Sequence, residues 1–107
     1  MRLEGKVAVI FGGGQVPGET VGNGRATAIL FAREGCRVLV VDRDLGSAEE
    51  TVGMITTEGG EAIAVRADVV VEDEVRSAIG AARARWGRID ILHNNVGISV
   101  AGQRRGR

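Results

Sequence analysis

An α/β fold, a doubly wound parallel sheet with helices on both faces, is the architecture this chain predicts, and three observations predict it. Short apolar runs of five or six residues alternate with longer stretches of helical periodicity. Glycines mark most of the junctions between them. The connections between successive apolar runs are long enough to hold a helix and so to join strands in parallel, with a right-handed crossover.

The elements follow in order. Val7–Phe11 (VAVIF) is apolar and rich in β-branched residues, the mark of a central strand buried on both faces. A glycine-rich stretch follows. Ala28, Ile29, Phe31 and Ala32 then recur at helical spacing and predict a helix over 24–34, with Gly35 as its C-cap. Arg37–Asp42 (RVLVVD) is a second strand that ends on an acid. Ala48, Val52 and Ile55 share one stripe of a helix predicted over 46–58, stopped by Gly59 and Gly60. Gly53 weakens that helix by about 1 kcal/mol relative to alanine. Glu61–Arg66 (EAIAVR) is a third strand. Val71, Val75, Ile79, Ala82 and Trp86 predict the clearest amphipathic helix, over 71–86, with Gly87 ending it. A fourth strand is predicted over 89–93, running into Asn94 and Asn95. The order βαβαβαβ implies a sheet of order 3-2-1-4.

Composition bounds the function. With 107 residues, 44% of them hydrophobic, the chain suits one small domain. Fourteen basic and fourteen acidic side chains cancel, which removes the broad positive field that nucleic-acid or anionic-membrane binding needs. The apolar runs are too short to span a bilayer, and the N-terminus lacks the apolar core of a signal peptide, so no membrane partner and a cytoplasmic address are expected. Cys36 is the only cysteine and has no metal-binding context; no metal site is expected. Tyrosine is absent, and Lys6 is the only lysine. Chemistry that needs a phenol is thereby excluded from these residues.

The stretch GGGQVPGETVGNGRATA lies between a predicted strand and a predicted helix. Glycines there let the backbone approach a diphosphate without an intervening Cβ, and the amides at the start of the next helix favour its charge. The alternative is a flexible surface loop. Asp42 lies eighteen residues beyond Gly24, close to the offset at which a strand-end acid accepts hydrogen bonds from an adenosine ribose. Its charge opposes a 2′-phosphate and favours NAD over NADP. Arg43 argues weakly the other way, and a solvated turn acid is the plain alternative for Asp42. Together these features make the predicted fold a Rossmann-type dinucleotide-binding unit.

VAVIFGGG with GNGRATA, VVDRD, RADV and WGRIDILHNNVGI together resemble the N-terminal half of the short-chain dehydrogenases/reductases, over residues 3 to 100. The resemblance implies that Gly12, Gly22 and Gly24, with Asn23 between the last two, surround the cofactor phosphates and that Asp42 binds the ribose. It implies that Asp68 hydrogen-bonds the adenine amino group, with the Val69 backbone beside it. Asn95, with Asn94 and Gly97, would stabilise the central sheet and line the cofactor. On local evidence alone Asp68 is only an acid before a helix, and Asn94-Asn95 a strand-ending turn. The chain departs from the family pattern at Phe11, where a threonine is usual. It also departs at Val70, where a Ser or Thr commonly caps the helix, at Val96, and through an insertion at 15–21.

The family's reaction is hydride transfer between a nicotinamide and an alcohol or carbonyl, with tyrosine as general acid/base, helped by a lysine and a serine. Those residues lie beyond the Asn-Asn segment, and Ser99 and His93 lie too early to be among them. No catalytic residue is therefore expected here. Residues 1–100 are expected to form the NAD-binding half-domain, catalytically incomplete alone, and 101–107 a frayed or disordered tail. The arginine-rich ending also suggests truncation, as by a shifted reading frame; an in-frame stop in the native locus would rule that out. A fourth strand without a fifth would leave an open edge and favour self-association. A stand-alone dinucleotide-binding module, or a fragment that pairs with other subunits, is the alternative function.

Overall fold

A computed structural model describes residues 3–12 and 23–94 of the 107. The order of elements is β1 (Val7–Phe11), α1 (Asn23–Arg33), β2 (Arg37–Asp42), α2 (Leu45–Thr57), β3 (Glu61–Arg66), α3 (Glu72–Trp86) and β4 (Ile91–Asn94). The four strands form one sheet of order β3-β2-β1-β4. Every pairing is parallel, with Val9 opposite Leu39 and Leu92, and Val40 opposite Ala64. The expected α/β architecture and the 3-2-1-4 order are both present.

Strand alternation divides the core into two layers. Ala8, Ile10, Val38 and Val40 face Ala28 of α1 and Ala48 and Ile55 of α2. Val7, Val9, Phe11, Leu39 and Val41 face Ala78 and Ala82 of α3. All of β1 is therefore buried, as its unbroken apolar run requires. The small residues at the helix contacts let α1, α2 and α3 approach the sheet closely.

The element boundaries move by one or two residues for identifiable reasons. Asp44 accepts a hydrogen bond from the Ser47 amide at 3.2 Å, which caps α2 and starts it at Leu45 rather than Gly46. Val71 is extended and offers no capping side chain, so α3 starts at Glu72 and not at Val71. Gly87, at φ +79°, ends α3 as expected. α1 runs from Asn23 instead of Gly24 and stops at Arg33 before Gly35. The expected tail at 101–107 lies outside the described residues. Among those described, no helix is long and apolar enough to cross a membrane.

The fourth strand starts at Ile91 because Asp90 does other work. Its amide donates to the Val7 carbonyl, and its Oδ2 accepts from the Val7 amide, both at 2.9 Å. Arg88 pairs with the other carboxylate oxygen at 2.7 Å. The Arg88 guanidinium first, and the Val7 amide second, hold the Asp90 carboxyl below the ordinary aspartate range. A folded-state pKa below the unfolded value adds stability at pH values above about 4, and that contribution is lost as pH falls through the folded value. Asp90→Asn should therefore be less stable than the parent near pH 7 and indistinguishable from it in strong acid. Urea midpoints measured across that range test this; a gap independent of pH would show that the Asp90 charge is not its source.

Candidate functional site

Because all four strands are parallel, their carboxyl ends share one edge of the sheet. Gly12 follows β1, Asp42 ends β2, Arg66 ends β3 with Asp68 two residues on, and Asn94 ends β4. The chain builds outward from β1 through β2 to β3 and then returns to the other side of β1. This reversal makes β1 and β4 a switch point, where parallel α/β sheets open a crevice beyond their strand ends.

Gly12 turns the chain out of β1 at φ +79°, a left-handed conformation that disfavours any side chain. Its amide donates to the Val41 carbonyl at 2.7 Å, tying the turn to the end of β2. On the far side of residues 13–22, α1 opens at Asn23 with Gly24 buried and no acidic residue in its first turn. No carboxylate within that first turn offsets the positive end of the helix.

Asp42 is 7% exposed. Its Oδ1 accepts from the Asp44 amide at 2.8 Å, and its carbonyl accepts from the Ala67 amide at 3.0 Å. The acid is thus held in place before any ligand arrives. A cleft of about 600 Å3 opens beside it, lined by Asp42, Arg43, Asp44, Leu45, Gly46 and Arg66. Arg66 is the register partner of Asp42 on β3, and its guanidinium meets Glu74 at 3.2 Å.

Asp68 sits in the turn between β3 and α3. Its Oδ1 accepts from the Val70 amide at 3.1 Å, while its own amide donates to Glu74 at 2.8 Å. Glu74 in the first turn of α3 therefore orders both the Asp68 backbone and Arg66. Val69 packs beneath, against the α3 layer of the core. Asn94 is exposed at the end of β4, opposite Phe11, which is buried and fills core space on the α3 side of the sheet.

The structure thus brings Gly12, Asp42, Asp68, Val69 and Asn94 to one edge of the sheet or its adjoining turns, and places Gly24 in the first turn of α1. Gly22, Asn95, Gly97, Val96 and the insertion at 15–21 lie outside the described residues, and of Asn23 only its place at the head of α1 is described. Arg66 and Arg25 were not singled out from sequence. Arg66 had one signal, its strand-end position matching that of Asp42. Arg25 had another: a basic residue in a first helical turn runs against the helix dipole. Among the described residues, no group of three or more His, Cys, Asp or Glu is placed to hold a metal ion.

The family model described as short chain dehydrogenase matches residues 6–106. The chain is 42% identical to the tropinone reductase-like 2 protein of Erythroxylum coca over 104 residues, covering 95% of this chain and 34% of that protein. It is 38% identical over 97 residues to the 7alpha-hydroxysteroid dehydrogenase of Escherichia coli K12, covering 91% of this chain and 36% of that enzyme. The crystal structure of a hydroxysteroid dehydrogenase from Escherichia coli superposes with a TM-score of 0.82 at 38% identity, over 90% of this chain and 38% of that one. The chain spans about a third of the length of the curated relatives it matches.

Proposed function

The chain belongs to the short-chain dehydrogenase family, and from that premise we propose that these residues are the NAD-holding part of an oxidoreductase acting on an alcohol or carbonyl. The observation that carries the reading is Asp42, an acid fixed at the end of β2, on the wall of a cleft and one strand away from the Gly12 turn.

The residues present fit a dinucleotide. At one end lie the left-handed Gly12 and the start of α1, whose first turn holds no acid, backbone suited to a diphosphate. At the other lies a carboxylate, an acceptor for vicinal ribose hydroxyls and a repellent of a 2′-phosphate. In this reading Gly12, Gly22, Asn23 and Gly24 receive the phosphates and Asp42 the ribose. Asp68 and Val69 flank the adenine, and Asn94, Asn95 and Gly97 lie beside the second ribose. The bound nicotinamide would supply hydride transfer. These 107 residues contain no tyrosine, so in this reading they bind and orient the cofactor and leave proton transfer to groups outside them.

Titration calorimetry of the chain with NADH and NADPH tests the proposal. NADH should bind, and NADPH about tenfold more weakly, as expected for a carboxylate facing a phosphate. Absence of binding by either nucleotide, or preference for NADPH, would refute it. Leu92, 58% exposed on β4, favours a second reading in which the same unit also associates through the sheet face at that strand. Sedimentation of the titration sample separates the two: a mass that stays at 11.2 kDa at all concentrations excludes the association.

A further inference from the structure

Arg25 stands in the first turn of α1, where a positive charge opposes the helix dipole. Its side chain is nonetheless only 14% exposed. The guanidinium is turned onto α2. Its Nε donates to Thr51 Oγ1 at 2.9 Å, and its Nη2 donates to the Ser47 carbonyl at 3.2 Å and to Glu50 at 3.0 Å. Thr51 is fully buried, and its hydroxyl also donates to the Ser47 carbonyl at 3.3 Å.

The bonds continue past α2. The Ser47 amide donates to Asp44, and the Asp44 amide donates to Asp42. Arg25, Ser47, Asp44 and Asp42 therefore form a hydrogen-bonded chain from the start of α1 to the acid at the end of β2. It bypasses residues 13–22, the covalent route out of β1 into α1. Planar guanidinium geometry suits this task, since it fixes direction as well as distance.

We infer that Arg25 is a positioning residue for cofactor binding, holding the diphosphate end at the α1 N-terminus in register with the ribose end at Asp42. This rests on the dinucleotide reading above. Its consequence is specific: loss of the tie weakens a ligand that spans both ends and leaves a ligand confined to the Asp42 end nearly untouched. A ligand that bridges two sites gains from their being preorganised relative to each other.

The test measures NADH and adenosine dissociation constants for the parent chain and for Arg25→Lys, Thr51→Val and Arg33→Gln. Arg25→Lys keeps the charge but loses the fork, and should raise the NADH constant about tenfold while adenosine changes less than about twofold. Thr51→Val removes one acceptor with little change of shape and should shift NADH in the same direction by about threefold. Arg33→Gln breaks the Arg33–Glu58 pair at the far end of the same helix and should leave both constants unchanged, which controls for general loosening. Parental NADH affinity in both Arg25→Lys and Thr51→Val overturns the inference. So does an equal loss for NADH and adenosine. Failure of the parent chain to bind NADH overturns the dinucleotide reading itself, a separate result.

Discussion

Replacing Asp42 by asparagine should raise the NADH dissociation constant about tenfold and lower that for NADPH, so that the preference between them moves by about two orders of magnitude. Asparagine is the informative substitution because it keeps an acceptor for the Asp44 amide, which the Asp42 carboxylate holds at 2.8 Å. The start of α2 therefore survives, and what changes is charge. Two losses and one gain follow. Ribose hydroxyls no longer meet a charged acceptor, whose hydrogen bonds are about twice as strong as neutral ones. A 2′-phosphate no longer meets a like charge in a partly enclosed cleft. It meets instead the two guanidinium groups on the rim, Arg43 and Arg66. Calorimetric titration of Asp42→Asn with both nucleotides reads the ratio directly. An unchanged ratio would mean that Asp42 does not face the ribose, whatever the affinities do individually.

The parts of this arrangement that were legible in the sequence are those determined locally. Val7–Phe11 announces its burial on both faces because each of its five side chains is apolar, and the two core layers receive them alternately. The acid at Asp42 could be found because the strand before it and the glycines upstream give it a countable position. The start of β4 was misplaced because Ile89 and Asp90 look like strand in sequence. The Asp90 side chain takes the place of a backbone partner for the Val7 amide, so the ladder begins at Ile91, two residues later than Ile89. The short reach of Asp44 onto Ser47 moved α2 in a similar way. The Arg25 tie was not legible at all. Its partners lie 22 to 26 residues away on another helix, and only the docking of α1 beside α2 on one sheet face brings them together. Arg66 is intermediate: its strand-end position is readable, but its pairing with Glu74 depends on how α3 turns back over the strand.

The largest effect on stability is expected at Gly35. Glycine is needed there for two separable reasons, and the other glycines of the chain separate them. The residue lies at φ +98°, and a Cβ placed on it would stand 2.7 Å from the Glu4 Cα, a backbone atom that cannot swing aside. The close approach exists because the segment before β1 is bonded to the turn after α1, through Leu3 to Glu34 at 3.0 Å and Gly5 to Gly35 at 3.2 Å. Gly59 shares the positive φ, at +91°, but has open space where a Cβ would go, and Gly53 has open space in the interior of a regular helix. Gly53→Ala should therefore stabilise the fold by about 0.5–1 kcal/mol. Gly59→Ala should destabilise it by about 1 kcal/mol, from backbone strain alone. Gly35→Ala adds a backbone overlap to that strain and should cost about 2–4 kcal/mol. Against a total stability of about 5–15 kcal/mol for a domain of this kind, that is a large share. Denaturant midpoints for the three variants give the order directly. If Gly35→Ala proved no worse than Gly59→Ala, the N-terminal segment would have to yield at little cost, and its bonds to the turn would contribute little to holding β1 in the sheet.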